Sequence, residues 1–172
     1  IPAEHIFVAG VPHFDVYADR PRQSKEEVFR KIGADPRKPL ILLAPRGRSF
    51  ADVDGELLDI IQEFRRMERI PRNLQILVRF PPNDTVDLGT QHIEEGIFLE
   101  KPGIQFSAGR TIDWDMSKEE LLFLRDELHY IDAIVTYGST LLIEAAILDK
   151  PIVMPRFDGR TPRPFHESAV RY

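Results

Sequence analysis

Gly138, Ser139, Thr140 and Glu144 interrupt an otherwise mostly apolar stretch from Ala133 to Pro155, AIVTYGSTLLIEAAILDKPIVMP. A carboxylate a turn and a half inside an apolar helix is costly unless something hydrogen-bonds it. Ser139 is placed to cap that helix, with Thr140 beside it and Gly138 allowing close approach to the backbone. Free N–H groups and the positive dipole end at such a helix start suit an anion. An anion site at the helix mouth and a carboxylate further in, suited to a sugar diol, together describe a nucleoside diphosphate. A plain structural reading stays open: Ser139 as an ordinary cap, and Glu144 reaching the surface or an arginine.

A second cluster follows the apolar run Leu40–Ala44. Pro45, Arg46, Gly47, Arg48 and Ser49 come at its carboxyl end, the edge at which open α/β sheets bind ligands. Guanidinium groups offer paired donors to phosphate, and glycine lets the backbone come close. The alternative is pairing of these arginines with Asp52 and Asp54. Arg79 stands near the end of a third apolar run, Leu74–Phe80, followed by Pro81 and Pro82.

The elements that must position these groups are legible as a repeat. The spacing predicts a strand at Ile6–Ala9 turned by Gly10, Val11 and Pro12. A capping box at Ser24 and Glu27 starts a helix that ends at Gly33. Strands follow at Leu40–Ala44 and Leu74–Phe80. Between them a helix from about Asp54 to Glu68 buries Leu57, Leu58, Ile61, Phe64 and Met67 and turns Arg65, Arg66 and Arg69 to solvent. Thr85–Gly96 reads as loop, with His92 exposed. Gly96–Glu100 and Ile104–Phe106 read as short strands around Lys101, Pro102 and Gly103. A second capping box, Ser117 and Glu120, opens a helix to about His129 that buries Leu121, Leu122, Leu124 and Leu128. Ala133–Thr136 is strand, Ser139 to about Leu148 a helix apolar enough to be covered on both sides, and Ile152–Met154 strand. Arg156–Arg160 is loop. This alternation predicts an α/β fold, a doubly wound Rossmann-like three-layer sandwich with a mostly parallel sheet of about six strands.

The 172 residues suit one domain. A net charge of −5 disfavours a nucleic-acid or anionic-membrane binder. The chain has no cysteine, which excludes disulfides and thiolate metal sites and suits a reducing, cytoplasmic setting, in solution or at the inner face of a membrane. No run is long enough to span a bilayer. The five histidines have no close metal-ligand spacing, so no metal site is expected. No G-x-G-x-x-G after a strand, G-x-x-x-x-G-K-[ST], H-E-x-x-H or G-x-S-x-G is present. The opening Ile1-Pro2-Ala3-Glu4-His5 and the uncapped end Phe165–Tyr172 lead to the expectation of a domain from a longer protein.

GSTLLIEAAILDKPIVMP resembles the donor-binding segment of GT-B glycosyltransferases and their relatives, the CDP-glycerol glycerophosphotransferases and the non-hydrolysing UDP-N-acetylglucosamine 2-epimerases. The resemblance runs from about Ile6 to Arg156. It implies the C-terminal, donor-nucleotide half of a two-domain enzyme. Ser139 and Thr140 would contact the diphosphate, Glu144 the ribose hydroxyls, and Lys150-Pro151 would form the turn. Gly10, in a segment similar to the family's G-x-P-x-x-D, would face the interdomain cleft. Pro45 with Arg48 is similar to a Pro-x-x-Arg loop, and Arg46, Arg48 and Arg79 would neutralise the diphosphate. The family's Arg-x-His-Pro is matched at Arg79 and Pro82, but Pro81 stands where the histidine would be. Ser107–Arg110 falls where the nucleobase loop would lie. The implied substrate is a UDP- or CDP-linked sugar, with no tightly bound cofactor. The acceptor site and general base would sit on a missing N-terminal domain of the same chain, so this domain alone would bind nucleotide without turnover. Epimerase and glycerophosphotransferase chemistry, and a non-catalytic α/β interaction module, remain the alternatives.

Overall fold

The computed structural model describes residues 2–7, 9–48, 53–82, 84, 86, 88, 92–105, 114–160, 164 and 166. After two 3-10 helices, Ala3–His5 and Pro12–Ala18, the order is α1 (Lys25–Ile32), β1 (Leu40–Leu43), α2 (Asp54–Arg66), β2 (Gln75–Arg79), β3 (Ile97–Glu100), β4 (Ile104–Gln105), β5 (Trp114–Asp115), α3 (Lys118–Tyr130), β6 (Ala133–Val135), α4 (Leu141–Ile147) and β7 (Ile152–Val153). Five strands form one parallel sheet in the order β3-β2-β1-β6-β7. The chain therefore builds outward from β1 on one side, then crosses back to lay β6 against its other side. That reversal creates a crevice between the loops leaving β1 and β6, the usual ligand position in such sheets.

Period-two alternation sorts the strands onto two faces. Leu40, Leu42, Leu77 and Ile134 pack with Val28 and Phe29 of α1, Leu124 and Leu128 of α3, and Ala145 of α4. Leu43, Ile76, Val78, Ile97 and Val135 meet Leu57 and Leu58 of α2 on the other face. Both capping boxes form, at Ser24–Glu27 and Ser117–Glu120, and Gly33 ends α1 at φ 90°. Ser117→Ala is expected to cost about 1 kcal/mol, read as a lower urea midpoint at unchanged slope. No helix among the described residues is long and apolar enough to cross a membrane.

Several expectations are corrected. Ile6, Phe7 and Ala9 form no strand, and Phe7 is 88% exposed. So short a segment does not hold an extended form without a ladder partner, and among the described residues no strand pairs with it. Ile104 and Gln105 pair with Trp114 and Asp115 in a separate antiparallel ribbon, which leaves the main sheet with five strands among the described residues. On α2 the buried arc runs through Leu58, Gln62 and Arg65, while Phe64 and Met67 are exposed. Arg65 is drawn inward because its guanidinium donates to the carbonyls of Leu74 (3.1 Å) and Glu95 (2.8 Å) and to Glu94 (2.8 Å). α4 is covered on one side only: Glu144 and Ala145 are buried, but Ile143 and Ile147 are exposed, as are Ile152 and Val153 of β7.

Candidate functional site

A cavity of about 540 Å³ opens at the carboxyl edge of the sheet, at the β1/β6 reversal. Its walls are the loops that continue β1 (Ala44, Pro45, Arg46), β2 (Arg79 to Pro82) and β6 (Gly138 to Leu141), with Glu144 from α4 and His13 from the 3-10 helix Pro12–Ala18. Pro102, Met116, Leu121 and Leu124 make one end apolar. A larger, shallower depression of about 970 Å³ lies at the opposite edge, beside Gly33, Gln75 and Gly96. There Arg65 is consumed by its carbonyl and Glu94 bonds, and none of the three side chains with an unpartnered buried polar atom among the described residues, Glu127, Tyr137 and Glu144, lines it. Glu144 does line the smaller cavity.

Glu144 is 3% exposed. Its Oε1 meets His13 Nε2 at 2.9 Å, and its Oε2 has no partner among the described residues. Burial, then the charge of the adjacent Glu144 carboxylate and its pull on the phenol hydrogen, push Tyr17 above its usual range, although the phenol makes no well-formed hydrogen bond to Oε2. Tyr17 and His13 lie on one short helix, begun by Pro12 in its first turn, that packs against α3 and α4.

The turn before α4 differs from expectation. The N-cap is Thr140, not Ser139, and its side chain makes no capping bond because its backbone is already helical (φ −59°, ψ −23°). The Ser139 hydroxyl accepts from Leu141 N at 3.3 Å, and the N–H groups of Leu142 and Ile143 reach the carbonyls of Ser139 and Thr140. Gly138 donates to Thr136 Oγ1 at 3.3 Å. Several N–H groups expected to await an anion are thus paired within the turn. What this turn offers the cavity is the hydroxyls of Ser139 and Thr140, both on exposed residues in its wall.

The β1 loop is also built differently. Buried Asp54, in the first turn of α2, accepts from Arg46 N (3.1 Å) and Gly47 N (3.0 Å). Burial raises the pKa of Asp54, against the pull of these two bonds and of Arg46. The Gly47 backbone therefore faces Asp54 rather than a ligand, and the Asp84 side chain fills the space a Cβ would take. Gly47, Arg48 and Gly10 lie outside the cavity wall, whereas Arg46 is part of it. Asp54→Ala leaves two inward N–H groups without an acceptor. It is expected to cost about 2 kcal/mol, measurable by urea denaturation.

Arg79 reaches the cavity wall but is 4% exposed and already engaged. Its Nη1 donates to Glu127 Oε2 at 2.6 Å and to the Glu100 carboxylate. The Ser107–Arg110 loop, Ser49 and Asp52 lie outside the described residues. Among those residues no group of three His, Asp or Glu could hold a metal ion. The structure thus gathers Arg46, Arg79, Gly138, Ser139, Thr140 and Glu144 in one cavity. It adds His13, which no sequence spacing connects to Glu144.

No protein-family model and no curated protein matches the sequence. Solved structures do. The wall teichoic acid polymerase TagF superposes with a TM-score of 0.56 at 18% identity, over 92% of this chain and 35% of its own. The Staphylococcus aureus MnaA–UDP complex gives 0.54 at 16% identity, over 99% and 44%. UDP-GlcNAc 2-epimerase from Neisseria meningitidis, bound to UDP-GlcNAc, gives 0.51 at 14%, over 86% and 39%. These neighbours belong to the GT-B superfamily and its relatives, and at such identities the likeness is one of fold: the chain has their Rossmann-like α/β fold. It spans less than half the length of each.

Proposed function

We propose that this chain is the donor-nucleotide domain of a GT-B-type glycosyltransferase and binds a UDP- or CDP-linked sugar as substrate. The observation that carries the reading is Glu144, a buried carboxylate in a cavity wall with Oε2 unpartnered among the described residues. An acceptor held out of water at that place is satisfied by a ligand hydroxyl, and a ribose supplies two. The Ser139 and Thr140 hydroxyls and the Arg46 side of the cavity take the diphosphate. The apolar end at Pro102, Met116 and Leu121 takes the base. A volume of about 540 Å³ falls in the range of small-molecule sites, about 300–1,000 Å³. UDP or UDP-GlcNAc is bound in two of the fold neighbours, which supports a uridine nucleotide first.

On this reading Arg79, in the wall but held by Glu100 and Glu127, acts through those carboxylates, and Arg48 and Gly10 make no donor contact. The acceptor and general base belong to a second domain, so the domain binds its ligand without turning it over. Calorimetric titration with UDP, CDP, GDP and ADP tests the proposal. Binding of UDP or CDP in preference to the purine nucleotides is the expected result. A folded protein that binds none of the four contradicts it.

A further inference from the structure

We infer that His13, oriented by Glu144, is a proton-carrying contact to the diphosphate of the bound ligand. The inference rests on the nucleotide reading above and deepens it by naming a residue that makes the site pH-selective.

The geometry divides the imidazole into two ends. Nε2 is tied to Glu144 Oε1 at 2.9 Å, and the ring stands edge-on to Phe14 at 5.3 Å between centroids. The Glu144 side chain is 4% exposed and that of His13 44%. The imidazole therefore bridges from a buried carboxylate to the open cavity. Nδ1 has no hydrogen-bond partner among the described residues.

Protonation decides what Nδ1 can do. With a carboxylate facing Nε2, that nitrogen carries the hydrogen, so Nδ1 of the neutral ring is an acceptor. An anionic phosphate oxygen is also an acceptor, and the two repel. Adding a proton turns Nδ1 into a donor and makes the contact charge-assisted, with Glu144 as the counter-charge on the dry side. Binding a diphosphate there takes up a proton, and by linkage a lower pH favours binding.

Other charged groups lie around His13, in the same cavity and on the elements packed beside its helix. Tyr17, on the same short helix, lies against Glu144. Arg125 of α3 is paired with Asp126 and reaches the backbone of Val16. Arg79 of β2 is held by Glu100 and Glu127. Arg46 and Asp84 line the same cavity, and Arg46 would share the diphosphate with His13. Among the described residues, Glu144 is the one charged group hydrogen-bonded to the ring. Its second oxygen stays available to the ligand's ribose, so one carboxylate sets both the sugar and the imidazole.

The test titrates the protein with UDP-glucose, or with CDP-glucose where the four-nucleotide titration selects cytidine, across a pH series. A sugar ester is used because the terminal phosphate of a free diphosphate itself gains charge near pH about 6 and masks the effect. Affinity is expected to fall tenfold or more between about pH 5.5 and about pH 8.5. Calorimetry in buffers of different ionisation enthalpy should show proton uptake on binding. The free nucleoside, lacking phosphate, should show neither. His13→Gln keeps an amide donor for Glu144, and its profile should be flat and lower at acid pH. A flat profile in the wild type, or a slope retained in His13→Gln, overturns the inference while leaving the nucleotide reading intact. Absence of binding to any nucleotide overturns both.

Discussion

Glu144→Gln is expected to lower affinity for the nucleoside diphosphate by tenfold or more, roughly 1.4 kcal/mol, while the melting temperature holds or rises. The two effects point in opposite directions because the carboxylate is poorly satisfied without ligand. One oxygen meets a half-exposed imidazole, and the other, inside a residue 3% exposed, has no well-formed hydrogen bond among the described residues, with the Tyr17 phenol lying against the carboxylate. Burying such a group costs free energy that the fold must supply elsewhere. The amide has the same shape, keeps an acceptor for His13, and is cheaper to dehydrate. The imidazole it leaves behind is open enough to be hydrated. A purely structural ion pair behaves differently: loss of one partner lowers stability and leaves ligand affinity alone. Calorimetry of UDP binding and thermal melting on the same variant separate the cases. Unchanged affinity with a lowered melting temperature counts against Glu144 as a ligand group.

Local signals carried most of the fold. Ser24 with Glu27 and Ser117 with Glu120 specify where α1 and α3 begin, and the backbone needs no distant partner to obey them. The apolar runs at Leu40 and Leu74 become strands for a different reason: an uninterrupted apolar run has to be covered on both faces, and neighbouring parallel strands supply its ladder. Glu144 was legible as a costly residue from its apolar neighbours alone. Its partner was not, because His13 lies 131 residues away and arrives through the packing of a 3-10 helix on α4. The loop after β1 misled in a different way. Two arginines and a glycine suit phosphate, yet Asp54, seven and eight residues on, accepts the very N–H groups a phosphate would use. Composition shows which groups a loop owns, not which way its backbone turns. On α2 the helical spacing of Phe64 and Met67 was right but the buried arc runs beside them, set by the Leu74 and Glu95 carbonyls that need Arg65 as donor.

Glu127→Gln is expected to stabilise the protein at alkaline pH and to flatten its stability profile between about pH 5 and about pH 8. Burial of Glu127, reinforced by the neighbouring Glu100 and only partly offset by Arg79, pushes its carboxyl from 4.5 up to about 8. The folded protein thus keeps a proton that the unfolded chain has released. A pKa raised on folding gives stability that is fully present below the unfolded value and is lost as pH rises through the folded one. The loss at the alkaline end is on the order of a few kcal/mol, and glutamine, which does not titrate, avoids it. Urea midpoints measured across the pH series should fall for the wild type and fall less for the variant. Parallel profiles show that Glu127 does not hold the proton. The site has a stake in the outcome, because Arg79 is shared between Glu127 and Glu100 at the cavity wall. With the proton on Glu127, one guanidinium faces one carboxylate and that wall is neutral. Without the proton that guanidinium is shared between two carboxylates, one of them fully buried, and this is the state whose cost the alkaline loss of stability reports.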